Sequence, residues 1–442
     1  MTWHVLCAVG PNDTYPSSAA QTEPQFRVGF QRSQDPHRMR ENVISDIEQQ
    51  LGSKPNDTTM DLLHCAMAIY AADMCIPRST AGDMWSRDIA VHLPVSDVTR
   101  WRRSGRTIVS MLNFLTCDNW QVEFRQLEME PRHAGAGTGP HGSRPVGLFS
   151  GGLDSLVGAI DLLEQGNDVV LVGHHGAGIT LPVQQRVRNA LSGLYGGRVR
   201  DLLFWVAPPH IAGNGGEPTS RARSFLFLAL GIVVANAVGE QTPVHIAENG
   251  LISLNVPLTN SRCGSLSTRT THPHFIALLR NVLARLGITH NLILPYRFLT
   301  KGAMLERCAN RAALEQILPL TMSCSHPEAA RWQGGSPHTH CGYCIPCIIR
   351  RAASFRAGIT DAEYDVDIVR ERLDPRTQRG RDIRAVSMAL ERFRQTPEVR
   401  AFFDVISSGP IPPDELPQYA DVYRRGLSEV DALLRAGPET HG

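Results

Sequence analysis

Short apolar runs alternate with stretches of helical period from residue 146 to about residue 250, and this alternation is the clearest pattern in the chain. Strands are expected at residues 146–149, 168–172, 202–206 and 244–247. Between them, the 3.6-residue spacing predicts helices over about 154–164, near 184–194 and from Arg223 onward. Such an alternation predicts an α/β fold: a Rossmann-like parallel sheet with helices on both faces. Ligands of such sheets sit at the carboxyl ends of the strands.

The flanking regions have a different texture. Residues 3–9 read as a strand, followed by a polar, proline-containing stretch and a helix around 39–50. Residues 60–74 carry apolar positions at helical spacing and are expected in a core, with His64 and Cys65 among them. A strand at 89–95, a helix through 101–115 capped by Ser96 or Asp97, and a strand at 121–124 complete an expected N-terminal α+β domain over residues 1–130. Residues 131–145, PRHAGAGTGPHGSRP, form a Gly/Pro linker without apolar periodicity. The α/β domain is expected to span 146–358. A helical C-terminal extension over 359–442 follows, with amphipathic helices at 386–394 and 416–434, for packing or for a partner.

Composition narrows the setting. Charged residues make up 20% of the 442 and the formal net charge is +1, so no global field favours nucleic acid. The apolar run 225–238 is too short to span a bilayer and reads as a buried helix. The start of the chain lacks the basic-then-apolar order of a signal peptide. Three of the ten cysteines form Cys341-x-x-Cys344-x-x-Cys347, which favours metal binding in a reducing compartment over a disulfide framework. A soluble, cytoplasmic protein with no membrane segment is expected, with oligomerisation open. Only two of the 44 basic residues are lysines, Lys54 and Lys301, so a surviving lysine hints at a site that needs a compact ammonium.

Two constellations carry chemistry. The first strand of the α/β region ends abruptly in Ser150-Gly151-Gly152, and a helix begins near Asp154 or Ser155. Two glycines allow close backbone approach, and the first turn of the helix adds unpaired N–H groups and the positive end of its dipole. Such a turn suits a phosphate, although an ordinary strand-to-helix turn has the same outline. No Gly-Lys-Ser/Thr follows, so this is not a Walker A loop. The second constellation is Cys324 with Cys341, Cys344 and Cys347, whose spacing lets four thiolates close a tetrahedral zinc site. His326, His338 and His340 lie close in sequence, so a three-cysteine, one-histidine set is open, as are an iron–sulfur cluster and a catalytic dithiol. Four protein ligands would make the zinc structural.

The pattern Ser-Gly-Gly-x-Asp-Ser resembles that of the PP-loop ATP pyrophosphatases, which cleave ATP to AMP and pyrophosphate while adenylating a substrate. Together with the downstream TMSC and CGYCIPCIIRRAASF segments, it resembles the 7-cyano-7-deazaguanine synthase (QueC) family over about residues 146–357. The flanking segments look more like the synthase-like proteins of Qat anti-phage systems than like the free-standing biosynthetic enzyme. The resemblance implies a PP-loop, adenine nucleotide alpha hydrolase-like fold. It also implies that Ser150, Gly151, Gly152, Asp154 and Ser155 hold ATP phosphates and that the four cysteines hold zinc.

Three further stretches fit the family. Arg223 and Ser224 lie in an RARSFLFL segment matching its Arg-Asn-Leu-x-Phe-Leu element, with Ser224 in place of the usual Asn. Two arginines at the start of a buried helix oppose its dipole and need an anion, either nucleotide phosphate or Glu217. Glu248-Asn249-Gly250 falls where the family places substrate-facing residues, and Lys301 matches its Thr-Lys element. Residues 270–274 stand where the family has Asp-Cys-Arg-Pro-Glu and keep only the proline, which leaves the substrate and the nitrile-forming step open.

The implied activity is a C–N ligase that adenylates 7-carboxy-7-deazaguanine, with Mg²⁺ assisting and Asp154, Ser155, Arg223 and Lys301 in the catalytic set. The acceptor is expected to be ammonia or an amine of a partner protein. A tRNA-modifying PP-loop enzyme and a non-catalytic nucleotide-binding scaffold are the other readings.

Overall fold

A computed structural model describes residues 1–16, 23–128, 144–176, 178–209, 217, 221–259, 269–327, 339–371 and 373–436. Most of the expected linker, residues 131–143, and His338 lie outside the described residues.

The first region holds strands β1 (Thr2–Val9), β2 (Gln25–Phe30), a short β3 (Arg40–Glu41), β4 (Asp88–Val95) and β5 (Asn119–Gln126). Helices α1 (Val43–Leu51), α2 (Asp57–Cys75) and α3 (Val98–Thr116) join them. Four of the strands form a sheet of order β2-β1-β4-β5 in which every pairing is parallel. The layering is therefore α/β, which corrects the α+β expected. Strands separated by a helix return in the same direction, so β4–α3–β5 is a parallel crossover unit. The proline-containing stretch hid β2. Helix α2 is buried around almost its whole circumference because it lies between this sheet and a helix of the second region.

The second sheet contains β6 (Val146–Leu148), β7 (Val169–His175), β8 (Val199–Ala207), β9 (Val244–His245) and β10 (Leu292–Ile293), all paired in parallel. Its order is β10-β9-β6-β7-β8-β3, with β3 from the first region running antiparallel along one edge. Helices α4 (Leu153–Glu164), α5 (Thr180–Tyr195) and α6 (Arg223–Val238) flank it. The two-residue side-chain period of the strands sorts the core. Val170 and Val172 join the cluster built with α6, whereas Val169 and Leu171 join the one built with α4 and α5. Both faces are covered, which is why these strands read as continuous apolar runs. From β6 the chain winds through β7 to β8, and α6 then carries it back to β9 on the other side of β6. The strand order thus reverses between β6 and β9, the crevice where sheets of this kind hold ligands.

The remainder is helical: α7 (Gly250–Leu254), α8 (Pro273–Leu286), α9 (Lys301–Glu306), α10 (Arg311–Ile317), α11 (Ile345–Ala357), α12 (Gly380–Gln395), α13 (Pro397–Ser407) and α14 (Leu416–Arg435). The C-terminal helices do not form a separate satellite. Tyr423, Leu427 and Val430 of α14 share one apolar cluster with Cys341, Cys344 and Cys347. No helix among the described residues is long and apolar enough to cross a membrane.

Candidate functional site

The chain leaves β6 through Phe149 and turns at Ser150–Gly152 into α4. Gly151 adopts φ +79°, and a Cβ there would press to 3.0 Å from Val183 Cγ1, so glycine is required both by conformation and by the approach of α5. Three hydroxyls gather around the turn. Ser150 Oγ accepts the Gly152 N–H at 3.2 Å, Ser155 Oγ donates to the Gly152 carbonyl at 2.8 Å, and Ser323 Oγ accepts the Leu153 N–H at 3.3 Å.

Asp154, in the first turn of α4, is held from two sides. Lys301 Nζ lies 2.5 Å from its Oδ1, and Asn249 reaches its Oδ2 through the side-chain amide at 2.6 Å and the backbone N–H at 3.2 Å. Asn249 also caps α7, and Thr300 caps α9, accepting the Ala303 N–H at 3.1 Å. Behind Lys301, Glu429 of α14 takes the Thr300 hydroxyl, the Gly302 N–H at 3.2 Å and the Arg356 guanidinium at 2.5 Å. A C-terminal helix therefore fixes the start of the short helix that carries Lys301.

Arg223 opens α6. Its Nε donates to His174 Nδ1 at 3.2 Å and its Nη2 to the His174 carbonyl at 3.1 Å. No carboxylate of the described residues pairs with it, and its surroundings pull its pKa below the usual arginine value. Burial holds His174 down to about 3, with the Arg223 charge adding to the effect, so the imidazole is neutral at physiological pH. Arg221 points elsewhere: it donates to the Thr116 carbonyl at 2.7 Å and its guanidinium lies 4.6 Å from the Trp85 ring centre. Asp73 of α2 accepts the Ala222 N–H at 2.8 Å and so supplies an anion at the start of α6, while Glu217 accepts the Arg78 N–H at 3.0 Å.

Glu248 follows β9 and takes the Thr271 hydroxyl. Burial, reinforced by the Asp154 charge and opposed by Lys301, lifts its carboxyl to about 7. Ser224 Oγ and Thr270 Oγ1 are 2.7 Å apart. Of the altered segment 270–274, Thr270 and Thr271 face the site. His272 instead caps α8 and bonds Ser408 Oγ at 3.0 Å.

One cavity of about 520 Å³ at the carboxyl ends of β6 and β9 collects these groups. Ser150, Gly152, Asp154 and Ser155 line one side, and Arg223, Ser224, Glu248 and Lys301 reach it from three other segments. Gly151 lies just behind the wall. Sequence reasoning missed His174 and Ser323, whereas Asn249 and Thr271 fall in the two stretches set against the family's substrate-facing segments.

The four cysteines converge as well. Their sulfurs lie within 4.8 Å of one another, with Cys324–Cys344 and Cys341–Cys347 both at 3.9 Å. Four thiolates about 2.3 Å from a zinc ion sit at tetrahedral edges of about 3.8 Å, so the set fits such an ion. Backbone N–H groups orient the sulfurs: Ser325 donates to Cys344 at 3.5 Å, His326 and Cys341 to Cys324 at 3.3 and 3.4 Å, and Cys344 to Cys341 at 3.4 Å. Gly342, at φ +82°, closes the knuckle where a Cβ would meet the Val366 carbonyl oxygen at 2.1 Å. His340 is not part of the set, because its Nε2 accepts the Ser323 N–H at 3.3 Å. The strap between the two constellations is short. Met322 donates its N–H to the Gly151 carbonyl at 3.1 Å, Ser323 holds Leu153, and Cys324 is the next residue.

Comparison of the chain with protein-family models finds no match, and comparisons with curated proteins and with solved structures find none either.

Proposed function

We propose that the chain is an AMP-forming ATP pyrophosphatase of PP-loop type that adenylates a carboxylate and transfers it to an amine. The observation that carries this reading is the cavity itself. A glycine turn at the switch point of a parallel sheet faces Arg223, a guanidinium with no carboxylate partner among the described residues. A guanidinium of that kind on a cavity wall suits an anionic ligand, and a helix N-terminus beside it favours the same charge. The volume, about 520 Å³, lies within the roughly 300–1,000 Å³ range of small-molecule sites.

In this reading ATP enters with Mg²⁺ as a substrate complex. A carboxylate oxygen attacks the α-phosphorus, the α–β phosphoanhydride bond breaks, and pyrophosphate leaves. Arg223 and Lys301 meet the charge developing on the leaving group, and the Asp154 carboxylate holds Lys301 in place until the nucleotide arrives. The α4 turn, with its three hydroxyls, positions the phosphates. The amine then attacks the acyl carbon and AMP departs. The resemblance to deazaguanine synthases narrows the carboxylate to 7-carboxy-7-deazaguanine. The metal centre is structural in this scheme, with zinc bound by Cys324, Cys341, Cys344 and Cys347.

Pyrophosphate release from ATP, measured with and without 7-carboxy-7-deazaguanine, tests the proposal. Release that depends on the carboxylate and matches AMP formation is expected; formation of ADP and phosphate instead would overturn it.

A further inference from the structure

A second chamber, of about 420 Å³, adjoins the first, and Ile252 and Pro346 belong to the walls of both. Its lining is largely apolar and includes Ile348 of α11, Val386 of α12, and Leu427 and Val430 of α14. The polar end of Tyr423 is engaged elsewhere, with its hydroxyl 3.3 Å from Asp404 Oδ2, so the ring contributes carbon surface. Asn255, Ser325, His326 and Asp382 also line it, and Gln378 and Arg381 are exposed. Two of the walls come from α12 and α14, helices that lie outside the sheet region bearing the glycine turn.

We infer that this chamber holds the body of the acceptor, a primary amine carrying an apolar group larger than a few carbons. The inference rests on the adenylation reading for the identity of the reacting group and on the chamber for the shape of what bears it. The first cavity already contains the cations that suit a polyphosphate and a carboxylate, Arg223 and Lys301. The second is lined largely by carbon and shares Ile252 and Pro346 with the first. Ammonia needs no apolar chamber, because it has no carbon to bury. An amine with an aromatic or branched body does, at about 25 cal/mol for each Å² removed from water. In the transfer the nitrogen forms a C–N bond to the acyl carbon. The bond from that carbon to the AMP oxygen breaks, AMP leaves with the electron pair, and the nitrogen's surplus proton passes to water.

The test compares methylamine with 2-phenylethylamine, which share the reacting group and differ in the apolar body. Isothermal titration without ATP should show 2-phenylethylamine binding at least about tenfold tighter than methylamine, as expected for burying one ring. Saturating ATP should leave that binding in place. Val386→Trp fills the chamber and Leu427→Phe fills it less, and the variant that keeps the wild-type melting temperature and metal content should lose the preference. With ATP and the carboxylate present, mass spectrometry should find the N-phenylethyl amide at amine concentrations about tenfold below those needed for the N-methyl amide. Equal binding of the two amines would overturn the inference. So would displacement of 2-phenylethylamine by ATP, which would make the chamber part of the nucleotide site. Absence of pyrophosphate release with the amine preference intact would overturn the adenylation reading and leave the amine site standing.

Discussion

Lys301 Nζ sits 2.5 Å from Asp154 Oδ1 across 147 residues of sequence, and Asn249 holds the other oxygen of the same carboxylate. One side chain thereby joins the first turn of α4 to the starts of α7 and α9. Asp154→Ala and Lys301→Met should each lower pyrophosphate release by about 10²–10³-fold, the usual effect of removing one preorganised charge or donor. Because the two act as a unit, the double variant should fall no more than about tenfold below the worse single variant. Steady-state pyrophosphate release checks this, and fully multiplicative losses would show that the residues work separately.

Metal loss should be felt at the glycine turn. The strap Met322–Ser323 bonds Gly151 and Leu153 directly before Cys324, the first cysteine of the candidate metal site. Elemental analysis should find one zinc per chain. Cys344→Ser should remove it and lower soluble yield, since metal binding contributes directly to folding. Mild chelation of the wild type should weaken ATP binding along with zinc content. Iron accompanied by a visible absorbance band would assign a different metal to the four cysteines.

His174 aims Arg223 through a ring nitrogen and its own carbonyl, and its neutral state leaves Nδ1 free to accept. The side-chain oxygen of asparagine falls near the Nδ1 position, whereas that of glutamine falls near Nε2. His174→Asn should therefore hold ATP affinity close to wild type. His174→Gln should weaken it about tenfold or more, the loss expected for a hydrogen bond to a charged group. Equal losses in two variants of equal melting temperature would leave His174 a merely steric role.

Glu248 adds a pH signature. Its carboxyl is raised to about 7 in the folded chain, above its value in an unfolded one. Between those two values the unfolded state has lost the proton that the folded state keeps, so stability falls as pH rises, and the loss is complete above about 7. Glu248→Gln removes this cost. Thermal melts should show the variant gaining on the wild type as pH rises from about 4.5 to about 7, and no further above it. A constant difference across that range would mean that Glu248 is ionised throughout.

What the sequence by itself determined is local in origin. The period of residues 146–250 encodes which face of each segment is buried, so β6 to β9 and the helices α4 to α6 were legible in it, whereas β10 lies beyond that stretch and was not. The Ser-Gly-Gly turn and the cysteine spacing were legible for the same reason, because a few consecutive residues carry the required backbone freedom or ligand reach. Helix α13 was not expected, although Pro397 stands at its first turn, where proline marks a helix start.

Pairing was decided only by the tertiary structure. Periodicity states that a strand has a buried face but not which strand lies beside it, so the parallel order of the first sheet and the edge strand β3 were invisible. The cavity is non-local throughout. His174 meets Arg223 across 49 residues, Asn249 meets Asp154 across 95, and Glu429 reaches Thr300 across 129. Each of these residues is unremarkable in its own segment, a strand end, a helix cap and a helical glutamate. Packing of α6 against β7 and of α14 against α9 brings the first and last of these pairs within hydrogen-bond reach, and no local pattern encodes that distance.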